Sequence, residues 1–235
     1  MNVSRLWQQL ERLENEYRFD GASYPNGLAP FPFRLSGQGF FPGGDGLWHD
    51  HVSAPSAGEL PTGGILFLAA DFGTLDSYNK LCTRGYQNEL ASKNLRRRIL
   101  DAGLPTSKIF CSNVYPGLRT DTSAPGVYPA VHNPEFPLFS AELLRFQIEV
   151  LSPKLIVSLG PVPEVFVHRF HHLLVLRDGS RPALFFTPHP GRDSELLAPM
   201  RRHQLAMELR EAWENAQPVP YRTRTASGVH RVAAI

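Results

Sequence analysis

The chain has 235 residues, of which 42% are hydrophobic and 20% charged, with a net charge of +2. That balance excludes a disordered, highly charged segment, and a core of this size buries most of its apolar surface without covalent staples. The longest clean apolar run, Ile65–Ala70, is far short of the roughly twenty residues of a membrane span, so a transmembrane helix is excluded too.

The first residues soon meet Glu11, Glu14 and Glu16 and hold no long apolar stretch, so no secretory signal and a cytoplasmic location are expected. Two cysteines, Cys82 and Cys111, cannot build a disulfide framework, a four-thiolate zinc site or a four-thiolate iron–sulfur cluster. Two buried free thiols are the expectation. Charge is mildly uneven. Residues 1–60 carry four arginines against seven acids, and the remaining twenty bases face fifteen acids. This permits a polyanionic partner without requiring one.

Residues 3–17 read as a helix, with Val3, Leu6, Trp7, Leu10 and Leu13 on one face. Residues 19–63 are rich in Gly, Pro and aromatics and break both regular periods. A segment this long inside a compact domain suggests a wrapping element held by its aromatics, one that could line a site. A first apolar strand covers 65–70, and a helical stretch follows over 87–102. A second strand covers 108–114, then a Pro/Gly-rich loop runs from 115 to 137. Ser140 stands near the start of a helix whose Phe139, Leu143, Phe146 and Val150 share a face. A third strand covers 154–160, a short helix 162–172 and a fourth strand 182–187. Ser194 is placed as the cap of a long helix to about Asn215, with Leu197, Leu205, Leu209 and Trp213 inward. Apolar strands alternating with helices mean an α/β fold, a parallel sheet covered on both faces. Residues 217–235 read as a loose basic tail.

Ligands of such sheets bind beyond the carboxyl ends of the strands. The first strand delivers Asp71-Phe72-Gly73-Thr74, the second ends at Asn113, the third at Gly160-Pro161, and the fourth delivers His189-Pro190-Gly191-Arg192. A carboxylate, an amide, a glycine turn and an imidazole are thus expected around one crevice. Trp48-His49-Asp50-His51 offers metal-ligand types without a third partner, so no metal is expected. Arg96–Arg98 reads as a solvated charge run, and His171-His172 as surface or packing.

The order and setting of these four strand-end motifs, spread over residues 63–212, resemble the uracil-DNA glycosylase superfamily. The resemblance implies a single three-layer α/β/α domain over residues 1–216, with a four-stranded parallel sheet in the order 2-1-3-4. It puts Asp71 at the water-activating position and Asn113 at the position that reads the pyrimidine edge. Leu159-Gly160 matches a turn near a DNA phosphate, and His189 heads a loop that enters DNA. A glycosylase takes its base out of the stack. Asp71 would stabilise the oxocarbenium-like sugar and orient water, and His189 would donate to O2 of the departing base. No metal, cofactor or Schiff base is needed, and an abasic site is the implied product. DNA is the implied partner, and nothing in the sequence argues against a monomer.

Departures from the pattern bear on specificity. Where the strictly uracil-specific branch has a tyrosine that blocks pyrimidine C5, this chain has Gly73. Either the pocket accepts a C5-modified pyrimidine, in the extreme a glucosylated hydroxymethylcytosine of phage DNA, or Gly73 only permits a tight turn while Phe72 or the 19–63 segment fills the space. The Asn113 amide suits uracil or, rotated by about 180°, cytosine. Tyr86, or else Tyr78, is the candidate to stack on the base, and Arg192 the candidate to fill the hole left in the duplex. Plain uracil, a non-cutting reader of modified bases with Asp71 buried or paired off, and a small-molecule enzyme are the alternatives.

Overall fold

The computed structural model describes residues 4–19, 21–22, 24–30, 60–84, 89–120, 128, 133–192, 199–216 and 219–220. Its centre is a four-stranded parallel sheet. Strand β2 (Ile65–Ala69) lies between β3 (Ile109–Asn113) and β5 (Leu155–Leu159), and β5 is followed by β7 (Ala183–Thr187). The first three strands are buried at every position, as expected of continuous apolar runs covered on both sides. The expected α/β class with a four-stranded parallel sheet is therefore present.

Alternation along the strands sorts side chains onto two cores. Leu66, Leu68, Phe110 and Ile156 face one cluster, and Ile65, Phe67, Ile109, Cys111, Leu155 and Val157 face the other. The first cluster is closed by α1 (Ser4–Glu16), α4 (Glu135–Leu151) and α5 (Pro161–Arg169). The second is closed by α3 (Leu90–Asp101) and α6 (Pro199–Glu214). Leu6, Trp7, Leu10 and Leu13 of α1 are all buried, which is the face read from their spacing. Cys111 is buried and forms no disulfide, while the Cys82 side chain lies outside the described residues.

Several elements differ from the sequence reading. A helix α2 (Leu75–Arg84) precedes α3, in a stretch to which the sequence reading assigns no element. Its start is locally encoded: Thr74 Oγ1 accepts from Ser77 N at 3.1 Å. Helix α4 begins five residues before Ser140. Asn133 Oδ1 caps it, accepting from Glu135 N and Phe136 N at 2.9 and 3.3 Å. Ser140 lies inside the helix instead and returns its hydroxyl to Phe136 O at 2.8 Å. Helix α6 begins at Pro199, a residue suited to a first helical turn. The expected cap Ser194 and the inward Leu197 lie outside the described residues. Leu205 and Leu209 of this helix are buried.

Two short antiparallel pairs complete the fold. β1 (Leu28–Ala29) pairs with β4 (Leu118–Arg119), and β6 (Ser180–Arg181) pairs with β8 (Val219–Pro220). The second pair corrects the tail: residues 219–220 are strand. Of the wrapping segment, Phe19, Tyr24, Leu28 and Leu60 are buried, in keeping with anchoring by aromatic and apolar residues. Its residues 31–59, with Trp48-His49-Asp50-His51, lie outside the described residues. Among the described residues no helix is long and apolar enough to cross a membrane.

Candidate active site

All four strands of the sheet run the same way, so their carboxyl ends share one edge. Neighbouring strands lie about 4.8 Å apart, which makes this edge roughly 14 Å wide. In order along it come Asn113 on β3, Asp71 after β2, Gly160 after β5 and His189 after β7.

Asn113 is the last residue of β3 and the register partner of Ala69. The pairing continues past the strand ends: Val114 N donates to Ala69 O at 2.9 Å and Tyr115 N to Ala70 O at 3.0 Å. This ladder brings the segment after β3 alongside Asp71. Asn113 is only 4% exposed, and neither its Oδ1 nor its Nδ2 has a hydrogen-bond partner among the described residues. A buried amide without partners costs on the order of 1–3 kcal/mol, and nearly all such groups in folded proteins are satisfied. The position is therefore one that a ligand's edge would stabilise.

Asp71 is held at one carboxylate oxygen. Gly73 N donates to its Oδ1 at 2.6 Å, and Arg119 Nη2 approaches the same atom at 3.5 Å. The two side chains are mostly buried, 16% exposed for Asp71 and 18% for Arg119. Arg119 is brought there by backbone pairing: its N–H donates to Gly73 O at 2.9 Å. Tyr128 also lies within the field of this pair. Burial, and then the charge of Asp71, push its phenol well above the usual tyrosine range, against a smaller opposing effect of Arg119. Tyr128 stacks on Tyr115 with ring centres 4.7 Å apart.

Gly73 has φ of +81°, which favours glycine, so the tight-turn reading of this residue is met. Apart from its chain neighbours Phe72 and Thr74, a Cβ built on Gly73 would meet no atom of the described residues nearer than Ser77 Cβ, at 4.0 Å. Phe72 is partly buried and packs against both core clusters.

On the far side of the edge, Gly160 N donates to Thr187 O at 2.8 Å, and a Cβ at Gly160 would lie 3.3 Å from His189 Cβ. Glycine thus lets the His189 turn close over the end of β5. Gly191 N donates to His189 Nδ1 at 3.1 Å. A ring nitrogen that accepts carries no hydrogen, which leaves the hydrogen of the neutral ring on Nε2. That tautomer can donate to an oxygen on which negative charge develops.

The turn itself is clamped by α3, which sequence reasoning missed. Arg98 is buried, 5% exposed, and donates from Nη1 to Thr187 Oγ1 at 2.8 Å and to Pro188 O at 2.9 Å. Asn94 Nδ2 donates to Pro190 O at 2.9 Å. The Arg96–Arg98 run is therefore not wholly a solvated face; its last member is structural. A hint was available in the spacing, since Asn94, Leu95, Arg98 and Ile99 share one helical face. Arg119 carried no comparable signal.

The remaining candidates divide. Tyr78 is buried in the core cluster closed by α1 and α4. Tyr86 lies outside the described residues. Arg192 closes the 3-10 turn Pro190–Arg192, and its side chain is outside the description. His171 and His172 are exposed, in keeping with a surface role. Comparison with protein-family models found no match, and comparison with curated proteins found none either.

Proposed function

We propose that the chain is a monofunctional DNA glycosylase that flips a pyrimidine into this crevice and hydrolyses its N-glycosidic bond. The observation that carries the reading is Asn113: a fully buried amide with both atoms unpartnered among the described residues, at the carboxyl edge of a parallel sheet. An amide presents one donor and one acceptor side by side, the complement of a pyrimidine edge. The order of the strand-end motifs, with their resemblance to the uracil-DNA glycosylase superfamily, supports the same reading. So does a sheet whose order places Asn113 and His189 on either side of Asp71.

In this reading the sugar lies at Asp71. The carboxylate stabilises the positive charge that builds on the sugar as the bond breaks, and orients the attacking water. Oδ1 is already engaged by Gly73 N and Arg119, so Oδ2 is the oxygen that meets the water. His189 donates from Nε2 to O2 of the base as it leaves with the bonding electrons. The space at Gly73 favours a C5-modified pyrimidine, a glucosylated hydroxymethylcytosine of phage DNA being the bulkiest case.

One observation favours a second reading. Asp71 is paired with Arg119 and little exposed, which suits a protein that holds modified bases without cutting them. A base-release assay decides between the two. DNA carrying uracil, hydroxymethyluracil, hydroxymethylcytosine or glucosylated hydroxymethylcytosine is incubated with the protein, then treated with alkali to reveal abasic sites. The glycosylase reading expects release that falls by roughly a hundredfold or more in Asp71→Ala and in Asn113→Ala. Salt-dependent DNA binding with no release, unchanged in Asp71→Ala, would establish the reader instead.

A further inference from the structure

Asn113 is not alone in lacking partners. Arg119 Nε is also buried without a hydrogen-bond partner among the described residues. The Asn113 amide is answered by the donor and acceptor of a pyrimidine edge. Arg119 Nε–H adds a demand that this edge does not meet, namely a further acceptor.

Position indicates which acceptor. Arg119 N–H donates to Gly73 O at 2.9 Å, while Arg119 Nη2 and Gly73 N converge on the same Asp71 oxygen at 3.5 and 2.6 Å. Arg119 therefore lies beside Gly73, where a Cβ would meet no described residue other than its chain neighbours Phe72 and Thr74 nearer than 4.0 Å. Ring geometry supplies the rest. In a pyrimidine, C5 stands opposite C2 across the ring. A base that turns O2 to His189, on the β7 side of the edge, must turn C5 to the other side. Arg119 belongs to the segment that follows β3 and pairs with the segment that follows β2, so Gly73 and Arg119 stand together on the β3 side of Asp71.

We infer that Arg119 is a specificity-determining residue that donates a hydrogen bond from Nε to an oxygen carried on the C5 substituent of the base. The substrate class is then a hydroxymethyl-type pyrimidine, free or further substituted on that oxygen, and not a merely methylated one. This inference rests on the glycosylase reading and goes beyond its open space at Gly73. Room alone admits methyl and hydroxymethyl groups alike, whereas a buried donor distinguishes them. A site built to hydrogen-bond an oxygen rejects the analogue that lacks it, because the donor is left unpaired.

The test compares matched bases in one DNA sequence: C5-methyl against C5-hydroxymethyl, in the uracil and cytosine series, with the glucosylated hydroxymethyl form added. The wild-type chain is expected to favour the oxygen-bearing member by roughly tenfold or more in kcat/KM. Arg119→Lys keeps a cation for Asp71 but has no guanidinium N–H at that place. It is expected to bring the ratio close to one while release of the methyl base persists. Arg119→Met is expected to do the same at a lower absolute rate. Because the ratio is taken within one variant, loss of the Asp71 contact or of general stability cancels from it. A wild-type ratio near one, or a ratio unchanged in both variants, overturns the role of Arg119 and leaves the glycosylase reading standing. No release of any base by the wild-type chain overturns both.

Discussion

The face of the sheet that meets α1 and α4 is packed with aromatic rings, whereas the face that meets α3 and α6 is packed mostly with aliphatic side chains. On the first face Phe19, Tyr24, Tyr115, Tyr128, Phe136 and Phe139 form one network, with ring centres 4.7 to 6.3 Å apart. Tyrosines serve this face because they carry a polar tip to the core's margin. Tyr17 donates to Glu142 at 2.9 Å and Tyr24 to Glu14 at 2.8 Å. The second face has polar guests of another kind. Arg98 and Asn94 enter it from α3 and hold the His189 turn. Each face thus steadies one half of the crevice. The aromatic face supports the Asn113, Asp71 and Arg119 half through Tyr115 and Tyr128, and the aliphatic face supports the imidazole half. A site split in this way can be loosened on one side at a time.

The largest effect is expected from Phe136→Ala. Phe136 is fully buried and touches five other rings of the aromatic network. Its loss should cost about 3–5 kcal/mol in denaturant unfolding. It should also loosen the Tyr115–Tyr128 stack while leaving amide protection in residues 187–191 high. Equal loss of protection on both sides of the crevice would show that the two halves are not separately supported.

Arg98→Met keeps the packing of the stem but strips Thr187 Oγ1 and Pro188 O of their donor. An expected cost of about 1–3 kcal/mol follows from leaving buried acceptors unpaired. Hydrogen exchange at the His189 turn should quicken, with little change at Asn113. Unaltered exchange at residues 187–191 would refute the clamp.

Tyr24→Phe is the mildest change near neutral pH, removing one hydrogen bond worth about 1 kcal/mol. Its interest lies at alkaline pH. Burial first, then the charge of Glu14, hold the Tyr24 phenol well above its ordinary value of 10.0. The folded state therefore keeps the proton more tightly than the unfolded chain. That contribution is complete below pH 10 and is lost as pH rises beyond it, when the unfolded chain gives up its proton. Tyr17, pushed up to about 12 by burial and Glu142, acts in the same sense. Unfolding measured at pH 9 and pH 11 should show a smaller alkaline loss of stability in Tyr24→Phe than in the wild type.

Much of the fold was legible because its signals are local. Runs such as Ile65–Ala69 and Leu155–Leu159 are apolar at nearly every position, and no other element suits a run that short and that apolar. Helix α2 escaped because Leu75–Arg84 mixes few apolar residues with charged and polar ones, and Tyr78 is the one side chain in it seen to be fully buried. The start of α4 escaped because its cap, Asn133, stands in a Pro-rich stretch that reads as loop. Asp71, Asn113 and His189 could be singled out because each closes a strand or stands two residues beyond its end.

What the sequence by itself determined is therefore the set of strands, most of the helices and the residues standing at the strand ends, since these depend on neighbours a few positions away. Tertiary structure alone decided which of those residues acquire partners. Arg119 reaches Asp71 across 48 positions of chain, and Arg98 reaches Thr187 across 89. Arg119 has nothing local to mark it, and Arg98 has only its place on the inward face of α3. Their roles arise when the sheet closes, because only then does a guanidinium leave water for a site where its hydrogen bonds must be met by the protein or by what the protein binds.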